Sequence, residues 1–369
     1  MTSNINNDPT ARMKSYIERI AAGPKMSKNL TEQEAEDALS LILNQSVSET
    51  RAAVFLIAAR MKLETLEENI GYWRALHATC ENVSVPLPRL LQIADPFDGV
   101  TRWPYFGFYA IPLIAALGLP VYGHSSAPAA PKFGVTFEEL LIGHYQIPAS
   151  PVEAARDRRL AALEQFQFSY LSLRHTHPLL DRMASLRSEI VKRTTLSTLE
   201  KLLIPLKAEE NFLASTYFHK GYEVPMTAIA ALAGFDTTVI GNGMEGTSLY
   251  GVHKPARLFR AVGQNPAEEI LFDAGKTFAP ETAKKIASAC AEIKNLPATA
   301  PAIVQFGEEA LESGSGPAAP LIACQAAALS VLFNQFDDYQ KAYDACMDRL
   351  KDGGVFESLQ GYLQFLKNE

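Results

Sequence analysis

What this chain can fold into is limited most by a change of apolar periodicity at Val85-Pro86-Leu87-Pro88. Before it, apolar residues recur at helical spacing in segments that open on capping signals. Thr31 with Glu34, preceded by Leu30, is a capping box with a hydrophobic staple, and it predicts a helix through Ala38, Leu39, Leu41 and Ile42. Ser48 caps the next, in which Val54, Phe55, Ile57, Ala58 and Met61 keep the spacing. Thr65 and Glu68 form a second box opening a helix through Ile70, Trp73 and Leu76. With an amphipathic segment over 11–22, these make a helical unit, and the polar residues before Thr10 are expected to be disordered.

Beyond the prolines, short apolar runs bounded by turn residues alternate with helical segments. Strands are expected at 90–93, 119–122, 167–171, 211–215, 237–240, 258–262 and 269–272, and the stretch 105–117 is almost wholly apolar. Helices are expected at 152–163, 179–190, 225–232, 280–293, 318–333, 339–350 and 356–366, with 313–317 a loop and helix start. Such alternation predicts βαβ units and a sheet covered on both faces.

With 369 residues, 47% of them apolar, the chain can build one large domain or two ordinary ones with real cores. No apolar run is long enough to span a bilayer and the first thirty residues lack a signal-peptide core, so the expected compartment is the cytoplasm and no membrane partner is expected. Cys80, Cys290, Cys324 and Cys346 show no Cys-x-x-Cys spacing, and are expected to be buried thiols. No Ser-His-Asp order, His-Glu-x-x-His or Walker loop occurs, which removes hydrolase, zinc-peptidase and P-loop readings. The net charge of −7 disfavours polyanions, yet residues 156–207 hold ten Lys or Arg against five Asp or Glu. That excess either meets something anionic, nucleic acid included, or is a solvated helical face.

One loop bears on chemistry: Asp95-Pro96-Phe97-Asp98-Gly99-Val100-Thr101-Arg102-Trp103-Pro104. A pyrophosphate is held by converging backbone N–H groups, and proline has none, so tight anion cradling is not expected here. Gly241-Asn242-Gly243-Met244-Glu245-Gly246 follows a strand and offers a weak phosphate turn. Trp103, Tyr105, Phe106, Phe108 and Tyr109 either stack an aromatic ligand or pack a buried helix, the second being favoured because aromatics dominate core area.

The segments Leu30-Thr31-x-x-Glu34-Ala35, Arg51 through Thr65 and Glu67-Glu68-Asn69-Ile70-Gly71 resemble the amino-terminal helices of the anthranilate phosphoribosyltransferase family (glycosyltransferase family 3). Gly118-Leu119-Pro120-Val121-Tyr122-Gly123-His124, His177-Pro178, Arg193-Thr194 and Ala342-Tyr343-Asp344-Ala345 fall in the family's order, so the resemblance covers nearly the whole chain. It implies an α/β protein in which a small helical domain (1–84 and 178–203) packs on a larger domain (85–177 and 204–369) with a central, mostly parallel sheet, as in related nucleoside phosphorylases. It also implies a homodimer and a ligand cleft between the domains.

The family's motifs carry over incompletely. Its Gly-Thr-Gly-Gly-Asp is reduced to Asp98-Gly99; its Asn-x-Ser-Thr is replaced by aromatic and proline residues at 103–108; its Lys-His-Gly-Asn-Arg reads Gly123-His124-Ser125-Ser126-Ala127; its magnesium-holding Asp-Glu pair reads Met244-Glu245. Magnesium is therefore expected only if a pyrophosphate donor is used, with Glu245 its one protein carboxylate. Arg187 matches an arginine near the acceptor, and Arg193-Thr194 is kept. The run Arg193-Thr194-Thr195-Leu196-Ser197-Thr198-Leu199-Glu200-Lys201-Leu202 followed by Pro205 resembles a divergent branch without the pyrophosphate signature, some members of which bind nucleic acid.

The candidate ligand residues are thus Asp98, Gly99, His124, Ser125, Ser126, His177, Arg187, Arg193, Thr194 and Lys201. His124 and His177 have structural alternatives, a satisfied strand-end His and a turn-shaping residue before Pro178. Arg187 and Arg193 form a two-point anion clamp or, alternatively, pair with acids such as Asp181 or Glu189. The implied function is binding of an anionic or aromatic ligand without standard anthranilate phosphoribosyl transfer; transfer with another donor or acceptor, and nucleic-acid binding, are the rivals.

Overall fold

The computed structural model describes residues 8–23, 25–148 and 151–368. Helix α1 (Pro9–Ile20) starts earlier than expected because Asp8 caps it, its side chain accepting from the Thr10 N–H; residues 1–7, expected to be disordered, lie outside the described residues. Both capping boxes form, opening α2 (Glu32–Leu43) and α4 (Leu66–Ala78), while Ser48 caps α3 (Glu49–Lys62). Helices α2 and α4 approach closely at Gly71, where a Cβ would stand 2.2 Å from the Glu32 carbonyl oxygen. Leu180, Met183, Leu186, Leu196 and Leu199 return from the middle of the chain to share the core of this bundle.

The single helix expected over 179–190 is two pieces, Pro178–Asp181 and Ala184–Ile190. The chain tightens at Met183 (φ −79°, ψ 2°), and its buried residues Leu180, Met183 and Leu186 repeat every third position. That spacing suits a three-residue turn better than an α-helix of about 3.6 residues per turn. No element is expected over 300–313, yet a helix (Ala300–Ser313) forms with a proline in its first turn and Ile303, Val304, Gly307, Ala310 and Leu311 buried.

The strands are β1 (Val83–Ser84), β2 (Arg89–Ala94), β3 (Val121–Ser125), β4 (Phe168–Ser172), β5 (Leu206–Lys207), β6 (Glu210–Thr216), β7 (Thr237–Gly241), β8 (Ala256–Val262) and β9 (Glu268–Phe272). The main sheet has the order β4-β3-β2-β6-β7-β8-β9, parallel from β4 to β7 and antiparallel at β8 and β9; β1 and β5 pair separately. The chain runs outward from β2 through β3 to β4, then returns to lay β6 against the other side of β2, with Leu91 opposite Phe212. This reversal opens a crevice at the carboxyl ends of β2 and β6, where open α/β sheets take ligands.

Helix α5 (Gly107–Ala116) is the apolar stretch of the sequence, buried almost throughout. Phe108 stacks on Tyr170 at 4.2 Å between ring centroids, and Tyr105, Phe106 and Tyr109 join the same core, so these aromatics pack the interior. All four cysteines are buried free thiols. No helix among the described residues is long and apolar enough to cross a membrane.

Candidate functional site

A cleft of about 340 Å³ opens at the switch between β2 and β6. One wall is Pro96, Phe97 and Asp98 after β2, Thr216 to His219 at the end of β6, and Glu245-Gly246 after β7; the other is Arg60 of α3 with Val191 to Thr194, Ser197, Thr198, Glu200 and Lys201. The cleft thus lies where the helical bundle meets the sheet. Arg193 and Asp98 join the two sides, the arginine Nε donating at 2.8 Å.

Four consecutive N–H groups of the 95–104 loop, from Gly99 to Arg102, are engaged by protein groups. Gly99 donates to the Pro96 carbonyl, and Val100 exchanges both backbone bonds with Val135, at 3.1 and 3.0 Å. Gly99 has φ +75°, and a Cβ on it would lie 2.4 Å from the Gly134 backbone, so glycine is needed for the crossing of two chain segments. The next two N–H groups, of Thr101 and Arg102, each donate at 3.0 Å to one oxygen of Glu245. The Thr101 hydroxyl and Lys132 Nζ reach the same carboxylate at 3.3 and 3.4 Å. A side-chain anion therefore fills the position that a bound anion would take on this loop.

Asp95, one turn earlier, is buried and accepts from the Ser248 N–H at 2.7 Å and from the Tyr105 hydroxyl. Burial pushes its carboxyl up to about 6, with the hydrogen bonds from Tyr105 and Ser248 opposing. Lys201 is buried on the cleft wall, its Nζ donating to the Thr216 carbonyl; burial brings its amine down to about 8 although Glu200, Asp95 and Asp98 favour the charge. Burial lowers His124 to about 3; its Nε2 faces the Thr176 hydroxyl at 3.1 Å, and its Nδ1 has no protein partner.

The other predicted residues spread over the neighbourhood. Asp98, Arg193, Thr194, Lys201 and Glu245 line the cleft, whereas Gly99, His124 and Ser125 line a separate small pocket of about 20 Å³. Ser126 donates to the Phe97 carbonyl at 2.9 Å and ties the end of β3 to the loop. His177 is fully buried: its Nδ1 accepts from the Leu180 N–H, so its Nε2 donates to the Leu76 carbonyl at 2.8 Å, locking α4 to the turn that follows. Arg187 lies behind the cleft wall and grips Glu200 with both terminal nitrogens, at 2.6 and 2.9 Å. It pairs with neither Asp181 nor Glu189, and it does not meet Arg193 around a common space.

Lys132, Glu200 and the aromatic group Tyr217, Phe218 and Tyr222 also line the cleft and are absent from the predicted set. The position of 217–222 just after a central strand was the available signal.

A model of the glycosyl transferase family helical bundle domain matches residues 14–80. An anthranilate phosphoribosyltransferase of Methylocella silvestris is 23% identical over 354 residues, 94% of this chain and 93% of that one. Along nearly its whole length the chain is similar to anthranilate phosphoribosyltransferases. An uncharacterized protein of Aquifex aeolicus is 27% identical over 221 residues, 59% of this chain, and the alignment spans 64% of that relative's length. The crystal structure of anthranilate phosphoribosyltransferase from Thermus thermophilus has the same fold, with a TM-score of 0.69 at 22% identity over 96% of this chain and 99% of that one.

Magnesium, which the family implies, fits poorly among the residues present. Both oxygens of Glu245 accept from the loop, and Asp98 faces Arg193 and Lys132, the latter at 3.8 Å. A hard cation needing near-octahedral oxygen ligands meets two committed carboxylates and two competing cations there. Among the described residues no group of three or more His, Cys, Asp or Glu is placed to hold a metal.

The basic excess of 156–207 is mostly internal. Arg156 pairs with Glu81, Arg174 with Glu138, Arg187 with Glu200 and Arg193 with Asp98, while Arg158 donates to the Phe365 carbonyl and Arg159 and Lys201 are buried. Arg182, Lys192 and Lys207 are the exposed remainder.

Proposed function

We propose that this chain binds an anionic or aromatic ligand in the interdomain cleft and does not carry out the standard transfer of a phosphoribosyl group to anthranilate. The observation that supports this is Glu245, whose carboxylate takes both N–H groups and the lysine that a donor phosphate would need. Displacing it would leave a buried carboxylate without partners, an expensive arrangement in a low-dielectric site. The cleft itself keeps Arg193 and Lys192 beside Phe97, Tyr217 and Tyr222, a pairing suited to a flat ligand with an acidic group.

Loss of anthranilate fluorescence, followed with magnesium and phosphoribosyl pyrophosphate present, is expected to stay at the blank rate. Turnover on the order of 1 per second, ordinary for an enzyme, overturns the second half of the proposal. A thermal-shift screen of aromatic acids, phosphosugars and nucleosides tests the first half, which fails if no compound raises the melting temperature. We further propose a homodimer, supported by apolar side chains standing exposed on α3 and the turn after it.

A further inference from the structure

Lys201 is a buried cleft residue whose chemistry is left without a task. It sits on a short turn (Glu200–Leu202) of the helical side and reaches across to the end of β6, where Nζ has the Thr216 carbonyl as its hydrogen-bond acceptor. Only 7% of the residue is exposed, and that surface faces the cleft. Among the described residues no carboxylate stands within ion-pair distance of it, because every acid nearby is held by something else. Glu200 is gripped by Arg187, Asp98 by Arg193 with Lys132 beyond, Glu245 by the loop N–H groups, and Asp95 by Ser248 and Tyr105. Arg193 and Lys132 add positive charge on the same wall.

We infer that Lys201 is an amine nucleophile that captures the carbonyl carbon of an aromatic, anionic aldehyde or ketone in this cleft as an imine. The inference rests on the proposed ligand class of the cleft. A lysine desolvated in a pocket and unpaired with a carboxylate holds a usable fraction of neutral amine, about one in ten at pH 7 for a pKa near 8. The neutral Nζ adds to the carbonyl carbon, a C–N bond forms and the C=O π pair moves to oxygen. Both amine protons pass to that oxygen, which leaves as water, and a C=N bond remains. No oxidant or reductant takes part. The planar walls of Phe97, Tyr217 and Tyr222 hold the ring, and Arg193 with Lys192 takes the acidic group. Once protonated, the imine keeps one N–H to donate to the Thr216 carbonyl, so capture does not orphan that oxygen.

Pyridoxal 5′-phosphate is a suitable probe, being an aromatic aldehyde with an anionic group. Full-length protein is incubated with one equivalent, reduced with borohydride and mapped by peptide mass. Lys201 is expected to carry the label at least about tenfold over any other lysine, and Lys201→Arg, whose guanidinium forms no imine under these conditions, is expected to show no site so enriched. Label spread over surface lysines with Lys201 unmodified overturns the inference, and this wild-type map decides even if the variant misfolds. Pyridoxine 5′-phosphate, which lacks the aldehyde, separates the two claims by thermal shift. A raised melting temperature with Lys201 unlabelled sinks the imine and leaves the cleft's ligand class standing, whereas no shift and no label sinks the imine and counts against the ligand class as well.

Discussion

Arg187 and Arg193 are six residues apart and chemically identical, yet the structure assigns them different work. Glu200 is buried and Arg187 nearly so, with 1% and 11% of their side chains exposed. Burial acts to lower the arginine's pKa, but Glu200 outweighs it and the net direction is up. Arg187→Ala leaves Glu200 as an uncompensated buried charge and is expected to cost about 3 to 5 kcal/mol in urea unfolding. Arg193 is 36% exposed, and Lys132 still faces Asp98 when it is removed. Arg193→Ala is therefore expected to cost about 1 kcal/mol or less of stability, its main effect falling on affinity for whichever acid the thermal screen finds. Equal stability losses in the two variants contradict this division. Both arginines were legible in the sequence as candidates, but their partners were not. Glu200 lies thirteen positions beyond Arg187, past the left-handed residue Val191, while the acids nearer in sequence, Asp181 and Glu189, make no ion pair with it.

At the scale of elements, the capping signals were legible locally, whereas the helix over 300–313 and the break at Met183 were not. Each capping box is a contact between residues three apart, so Thr31 with Glu34 and Thr65 with Glu68 announce their helices. The same Glu68 also accepts from the Leu30 N–H, 38 residues away, and from Lys62, and no local pattern encodes that tie between helices. The 95–104 loop shows the same limit. Its prolines exclude a phosphate cradle, but Glu245, 144 residues from Thr101, could not be named as the group that takes the loop's N–H donors. The crossing of this loop over 132–135 gives a test. A Cβ at Gly134 would sit 2.5 Å from the Val100 carbonyl oxygen, which belongs to the backbone and cannot rotate away. Gly134→Ala is expected to lose about 1 to 3 kcal/mol, the usual cost of overpacking. Hydrogen exchange at the Thr101 and Arg102 amides should speed up more than at β2, and unchanged protection at both would show that the crossing does not hold the loop to Glu245.

For the molecule as a whole, the order of elements was legible because helix and strand periods differ, whereas the strand order β4-β3-β2-β6-β7 depends on which strands meet across long connections. Two consequences of the assembled fold can be measured. His175 and His124 are held neutral by burial, down to about 2 and about 3. The unfolded chain takes up protons on both near pH 6.5 and the native state does not, so they withdraw stability as pH falls below that value. Asp95 acts oppositely, since its raised carboxyl favours the native state as pH falls from about 6 toward 3.8. The contribution of one histidine is isolated by difference: His175→Asn should lose less melting temperature than wild type between pH 7 and 5, and parallel curves would refute its burial as a neutral base. The second consequence concerns association. Val54 and Met61 lie two turns apart on α3 and so share a face, 41% and 76% exposed, and Leu63 and Leu66 follow at 73% and 41%. Large apolar side chains so grouped are costly to leave in water, and a two-fold interface lets each copy cover the other's. An interface of ordinary size buries about 800 Å² per partner, and this patch would form its apolar centre. Light scattering is expected to give the mass of two chains, and Met61→Lys combined with Leu63→Lys to give one, with little change in the melting temperature extrapolated to low concentration. Those residues are already exposed in a single chain, so a folded monomer loses nothing by the change. A wild-type protein that runs as one chain at tens of micromolar rules the dimer out.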